Sequence, residues 1–167
     1  VTPPPALRPA QTALRPPHPV VVRAAGPGDV AALYRLSRAF ARTGELRARS
    51  ATEYARDTGD FLIAESAAGG VEGCVGLGCG QGVAARTAVV YNFCVAAASQ
   101  GRGVGTALLG ALLAEAAARS VGTVFTATSG GAALFLRHGF TVVDPATAAW
   151  PAGLDPRPGS SVLSLRL

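Results

Sequence analysis

The sequence has no lysine: all 15 basic residues are arginines, set against 10 acidic ones. An arginine excess that comes with many alanines fits a GC-rich coding bias, so arginine abundance by itself carries no functional weight. The net charge of +5 suits a small polyanionic ligand. The basic residues are too few and too scattered to argue for a nucleic-acid partner. No stretch is both long and apolar enough to span a membrane. Val1–Pro19 is rich in proline and lacks the continuous apolar centre of a signal peptide, so a cytoplasmic location is expected. Cysteine is scarce as well. Cys74, Cys79 and Cys94 are odd in number, and Cys74 and Cys94 lie in apolar, strand-like runs. Cys74 and Cys79 are close enough to share a metal, but His18 and His138 are distant in sequence and complete no ligand set. Free thiols and no metal are expected.

What the chain does have is apolar residues enough for one core. Its 167 residues are 49% hydrophobic and 15% charged, the profile of a single globular domain. Val1–Pro19 is expected to be a flexible tail and residues 20–167 the folded domain. Val20–Arg23 is β-branched and reads as a first strand. After a Gly26-Pro27-Gly28 turn, Asp29 is placed to cap a helix running to about Phe40, in which Val30, Leu33, Leu36 and Phe40 recur at helical spacing. Ser50 and Glu53 fit a capping box for a second, short helix. Strands are expected at Phe61–Ala64, Val71–Leu77 and Ala88–Val95. A helix then runs from about Val104 to Arg119, with Leu108, Leu109, Leu112 and Leu113 as its apolar face. A strand at Val121–Thr128, a short helix at Ala132–Arg137 and strands at Thr141–Val143 and Val162–Leu167 complete the chain, with no internal repeat. This alternation predicts an α/β fold, a mixed sheet with helices on both faces.

The most informative segment is Gln100-Gly101-Arg102-Gly103-Val104-Gly105. Alternate glycines between a strand and a helix let backbone N–H groups converge, and the helix N-terminus adds partial positive charge. Together they make an anion site, with Arg102 and Thr106 as further donors. A glycine loop alone serves as readily as a tight turn. The wider pattern is more specific: Val95, then Gln100-x-x-Gly103-x-Gly105, then Leu108-Leu109, and later Ala132–Phe140 ending in Gly139-Phe140. That order resembles the acyl-coenzyme A signature of the GNAT superfamily of N-acetyltransferases. The resemblance implies the GNAT fold, a central and mostly antiparallel sheet splayed between two parallel strands. It implies acetyl-CoA as cosubstrate and no metal. The backbone of Phe93, Cys94 and Val95 would pair with pantetheine, and Gln100, Gly101, Arg102, Gly103, Val104, Gly105 and Thr106 would hold the pyrophosphate, with Phe135 also at the cofactor.

Gly44–Ser50, Phe61, Val71–Cys74 and Ser160–Leu163 are similar to the acetyltransferase domain of N-acetylglutamate synthases. This implies acetyl transfer to the primary amine of a glutamate-like amino acid or small metabolite. The expected partner is that small molecule, not nucleic acid or membrane, and a homodimer is left open. Arg47 and Arg49 are candidates for an acceptor carboxylate, which guanidinium groups bind bidentately, although unpartnered loop arginines are as common. Thr128 and Ser129 are further acceptor-side candidates. Two positions depart from the family pattern: Val89 stands where many members carry a carboxylate, and Phe135 where many carry tyrosine, so neither handles a proton. The synthases' arginine before the last helix is replaced by uncharged Thr128-Ser129-Gly130-Gly131. Tyr91 and Asn92 remain as the catalytic candidates. Strand alternation sends only one of them into the cleft: Tyr91 to donate to the thiolate, or Asn92 to position an amine or a water. Glu45 and Glu53 are the nearest carboxylates, with no direction fixed, and His138 reads as a surface residue. Two other readings stay open: altered chemistry on another acyl thioester or a specialised metabolite, and a non-catalytic acyl-CoA sensor.

Overall fold

In the computed structural model, residues 19–80, 86–144, 146, 150–151 and 153–167 are described. The expected tail therefore falls, but for Pro19, outside the described residues. The strands are β1 (Val20–Ala24), β2 (Phe61–Ser66), β3 (Val71–Cys79), β4 (Thr87–Val95), β5 (Thr123–Thr128), β6 (Thr141–Val142) and β7 (Ser161–Arg166). The helices are α1 (Val30–Arg42), α2 (Ala51–Arg56), α3 (Val104–Ala118) and α4 (Ala132–Arg137). They form one seven-stranded sheet in the order β1-β2-β3-β4-β5-β7-β6. Every neighbouring pair is antiparallel except β4 and β5, which run parallel. Among the described residues, no helix is long and apolar enough to cross a membrane.

Two apolar layers sandwich the sheet. On one face Leu108, Leu109 and Leu112 of α3 are fully buried, against Ala64, Val75, Val90 and Val124 from the strands and Phe135 and Phe140 from the α4 region. Leu113, placed on the same face by its spacing, is only partly buried at its margin. On the other face Leu33 of α1 and Tyr54 of α2 pack with Phe61, Ile63, Cys74 and Cys94. The two faces follow from period-2 alternation along the strands.

Local signals explain most of the element boundaries. At α2 the Ser50 hydroxyl accepts from Glu53 N–H (3.2 Å), and the Glu53 carboxylate accepts in return from Ser50 N–H (2.7 Å). Asp29 behaves differently from its expected role as a helix cap. It sits just before α1, but at helical backbone angles and with no side-chain cap to that helix. Its carboxylate instead accepts from Gly26 N–H (2.8 Å) and from both terminal nitrogens of Arg23 (2.8 and 3.0 Å). A bidentate guanidinium is a stronger partner than one backbone N–H, and it holds the Asp29 carboxyl below its ordinary range. Arg23 also reaches Glu65 (2.7 Å), so one side chain ties β1 to β2 and to the entry of α1.

The register between β3 and β4 shifts between Cys74↔Cys94 and Gly76↔Tyr91. Two β4 residues, Asn92 and Phe93, thus face the single Val75, which is a β-bulge. Asn92 carries the strain at φ +49°, a conformation asparagine tolerates better than most side chains.

Leu108→Ala is expected to lower stability by about 2–5 kcal/mol in urea titration, because its side chain is fully enclosed. Val142→Ala, on the exposed edge strand, is expected to stay within about 0.5 kcal/mol of the parent.

Candidate functional site

β4 and β5 pair from Thr87↔Thr123 to Val90↔Thr126 and then stop, although β4 continues to Val95 and β5 to Thr128. Past Val90 the bulge bends β4 away, leaving a gap between two parallel strands. The direction of the backbone groups there follows from antiparallel alternation. Ala96 N–H turns toward β3 and bonds Glu72 O at 2.7 Å. Val95 N–H, one residue back, therefore faces the gap. Val95 O is taken up by the Gln100 side-chain amide at 3.0 Å, which also fixes the strand end to the loop that follows. Cys94 turns the other way: its carbonyl lies against Gly73 of β3, and its thiol lies 3.6 Å from that of Cys74. Of the three residues expected to meet a cofactor arm, Val95 turns its N–H to the gap and Cys94 turns its carbonyl to β3. The Cys74 thiol first, and then burial, push the Cys94 thiol well above its usual range.

The loop leads directly into α3. Gly101 (φ +70°) and Gly103 (φ +86°) are in the left-handed region, and a Cβ on either would meet nothing within 4 Å. Conformation, not space, is what calls for glycine at these two positions. Their turns aim the unpaired first N–H groups of α3 into the loop. Arg102 lies between them, and its Nε–H is buried with no hydrogen-bond partner among the described residues. A loop with N–H groups, a helix terminus and an unsatisfied guanidinium donor fits a pyrophosphate. Thr106 lies exposed one turn on, and a Cβ on Gly105 would come within 3.2 Å of Leu134, so α3 and α4 meet closely there. Phe135 closes the floor, edge-on to Phe93 (ring centroids 5.7 Å) and Phe140 (5.2 Å).

A cleft of about 980 Å³ joins this gap to a second region walled by Tyr91, Arg49, Asp57 and Asp60. Tyr91 and Asn92 do not point to opposite faces, as strand alternation predicts. The bulge inserts a residue and resets the alternation, so both turn toward the α1–α2 side. Tyr91 lies flat over Gly76, where a Cβ would come within 2.8 Å of the ring, and edge-on to Phe61 (5.3 Å). Its hydroxyl donates to Asp60 Oδ2 at 2.8 Å. Burial first, and then Asp60, push this phenol well above its ordinary range. The hydrogen expected for a thiolate thus goes to a carboxylate. Asn92 is buried, and its amide donates to the Tyr54 hydroxyl, whose pKa burial raises to about 12. Asn92 is bound up in holding the bulge.

The arginines divide. Arg49 is largely enclosed, its side chain 17% exposed, with its guanidinium over the rings of Tyr54 (5.5 Å) and Tyr91 (5.2 Å). One nitrogen pairs with Asp57, while Nε–H has no hydrogen-bond partner among the described residues. Arg56, with Arg49 behind it, holds the Asp57 carboxyl below its usual range. Arg47 is more exposed and is engaged with Asp155 at 2.8 Å. Thr128 Oγ1 accepts from Gly131 N–H at 2.8 Å, ordering the turn before α4, and Ser129 lies on the cleft rim. Of the expected carboxylates, Glu53 is occupied by its capping box and Glu45 bonds Thr43 (2.6 Å). His138 Nδ1 lies 2.8 Å from Leu134 O on the helix surface. The sequence reading did not pick out Asp60, Asp57, Tyr54 or Arg157, whose guanidinium bonds the carbonyls of Gly44 and Glu45 (2.6 and 2.8 Å). A signal for Tyr91's surroundings was available: Gly76 and Gly78 leave one face of β3 bare opposite an aromatic. Among the described residues, no group of three or more His, Cys, Asp or Glu is arranged to hold a metal.

The family model for the acetyltransferase (GNAT) domain matches residues 57–142, just over half of the chain and the whole of the gap and loop. The chain belongs to the GNAT family of acetyltransferases. As a member of that family it is an acetyltransferase. No curated protein matches the GNAT chain in sequence. Solved structures do match. Rv2747 from Mycobacterium tuberculosis, in complex with CoA and a second ligand, is 27% identical with a TM-score of 0.76, over 88% of this chain and 99% of that one. A GCN5-related N-acetyltransferase from Kribbella flavida is 26% identical with a TM-score of 0.70, over 89% and 98% of the two chains. N-acetylglutamate synthase from Neisseria gonorrhoeae, complexed with coenzyme A and N-acetyl-glutamate, shares the fold at 23% identity and a TM-score of 0.77. The match to it covers 89% of this chain but only 35% of the synthase, so the GNAT chain spans about a third of that protein's length.

In the glycine loop of this GNAT chain, Arg102→Ala removes a charge-assisted donor worth about 1.5–3 kcal/mol. Calorimetry is expected to show coenzyme A binding weakened about tenfold or more. Gly103→Ala is expected to weaken it as well, because a left-handed alanine costs about 1–2 kcal/mol.

Proposed function

We propose that residues 20–167 act as one acyltransferase domain that transfers an acetyl group to the primary amine of an amino acid, glutamate-like or smaller. Arg49 carries this reading. It is a guanidinium held on two aromatic rings at the wall of the cleft, next to the point where β4 leaves β5. Although one of its nitrogens pairs with Asp57, its Nε–H has no hydrogen-bond partner among the described residues, and a cation fixed in a partly dry site is suited to a carboxylate. Arg47 and Arg157 are engaged with Asp155 and with the Gly44 and Glu45 carbonyls, and the segment 128–131 is uncharged. One carboxylate is thus well provided for, and a second much less so. An acceptor with a single α-carboxylate fits at least as well as glutamate.

Bound acetyl-CoA supplies an activated acyl thioester. The chain's part is orientation, exclusion of water and charge placement. Val95 N–H presents a fixed donor to an oxygen in the gap. Arg49 fixes the acceptor by its carboxylate, and the aromatic wall of Tyr54, Phe61 and Tyr91 shields that side from water.

Val89 favours a second reading, altered chemistry on another thioester, because this cleft position is valine and accepts no proton. One assay separates the two: acetyl-CoA with a panel of amino acids and their amides, read as free thiol released. The proposal expects turnover with carboxylate-bearing amines, less with the amides, and a KM raised about tenfold or more in Arg49→Ala. No thiol release with any amino acid contradicts it.

A further inference from the structure

We propose that Asp60 and Tyr91 form a proton relay that serves the attacking amine in place of the carboxylate missing at Val89. The inference rests on the acyl-transfer reading above and goes beyond it, since it assigns the proton-handling groups. Three observations carry it. Tyr91 stands one residue beyond Val90, the last β4 residue paired to β5, and so at the mouth of the gap. Its hydroxyl hydrogen is already directed to Asp60 Oδ2 at 2.8 Å, which leaves the phenol oxygen's lone pairs to accept from a donor in the cleft. Asp60 is only partly buried and lines the same cleft, so its carboxylate is open to solvent.

Geometry keeps the pair in place. Asp60 ends a single 3-10 turn (Thr58–Asp60) that leads straight into β2, and the Tyr91 ring is seated in the space left by Gly76. The charged and titratable groups facing Tyr91 are Asp60, Arg49 and Asp57, with Arg56 farther out and Tyr54 across the Phe61 ring. A carboxylate held by Arg49, whose guanidinium lies 5.2 Å from the Tyr91 ring centre, keeps an α-amine within reach of the Tyr91 oxygen. The step balances as follows. The amine nitrogen bonds the acyl carbon while the carbon–sulfur bond breaks. The nitrogen's proton passes to Tyr91 Oη, the Tyr91 hydrogen passes to Asp60, and Asp60 returns it to water, from which the departing thiolate takes a proton. Asn92, committed to Tyr54, has no part in it.

The test uses Asp60→Asn, Asp60→Glu, Tyr91→Phe and the Asp60→Asn/Tyr91→Phe double variant, with whichever amine the parent acetylates. Asp60→Asn and Tyr91→Phe are each expected to lower kcat by about a hundredfold, the low end of general acid–base catalysis, with coenzyme A affinity by calorimetry unchanged. The double variant should lose no more than either single one, and Asp60→Glu should recover part of the loss. Wild-type kcat in Tyr91→Phe, which keeps the ring on Gly76, overturns the relay, as do losses that multiply in the double variant. A readout without any acceptor separates this failure from failure of the substrate reading. The tyrosinate absorbance that Tyr91→Phe removes should appear at lower pH in Asp60→Asn, because the carboxylate disfavours the phenolate. An unchanged ionisation overturns the relay even if the substrate reading holds.

Discussion

The site depends on one interruption in hydrogen bonding: β4 and β5 are partners through Val90 and Thr126 and then separate. A parallel pair that stops while both strands continue leaves backbone groups facing each other across space. Buried and unpaired, each such group costs about 1–3 kcal/mol, so the gap is tolerable only where water or an amide-bearing ligand fills it. The bulge at Asn92 and Phe93 sets where the parting begins. The left-handed Asn92 is held by its bond to Tyr54, and the end of β4 by the bond from Gln100 to Val95 O. A hydrogen bond to α2 and a side chain in the glycine loop thus hold β4 at its bulge and at its C-terminal end.

The same bulge explains the chemistry on each side. It puts Tyr91 and Asn92 on one face, so the acceptor side has a tyrosine–aspartate pair and an arginine on aromatic rings, while Phe93 and Val95 stay with the α3–α4 layer. The cofactor half is built from backbone groups: glycine conformations, a helix start and a strand edge. The acceptor half is built from side chains that arrive from distant parts of the chain.

The division also decides what the sequence could reveal. Backbone features have local signatures. The alternate glycines before Val104, the capping box at Ser50 and the bounds of Ala132–Arg137 read directly, and the strands came within a few residues of their observed ends. Side-chain meetings across the sheet have none. Tyr91 and Asp60 are 31 positions apart, and Arg49 meets Tyr91 only because α2 packs over the bulge. A bulge is invisible to period-2 reasoning, so the opposite facings of Tyr91 and Asn92 were misjudged for a definite reason: one inserted residue reverses every facing after it. Asp29 was misread because an arginine six residues earlier competes for its carboxylate.

The most direct measurement is a crystal structure of the protein with coenzyme A bound. The account predicts pantetheine lying between β4 and β5 with an oxygen at hydrogen-bond distance from Val95 N–H, the pyrophosphate within the Gln100–Gly105 loop beside Arg102, and the sulfur end at the mouth of the gap near Tyr91. Coenzyme A seated elsewhere, with β4 and β5 hydrogen-bonded beyond Val90 and Thr126, would contradict it.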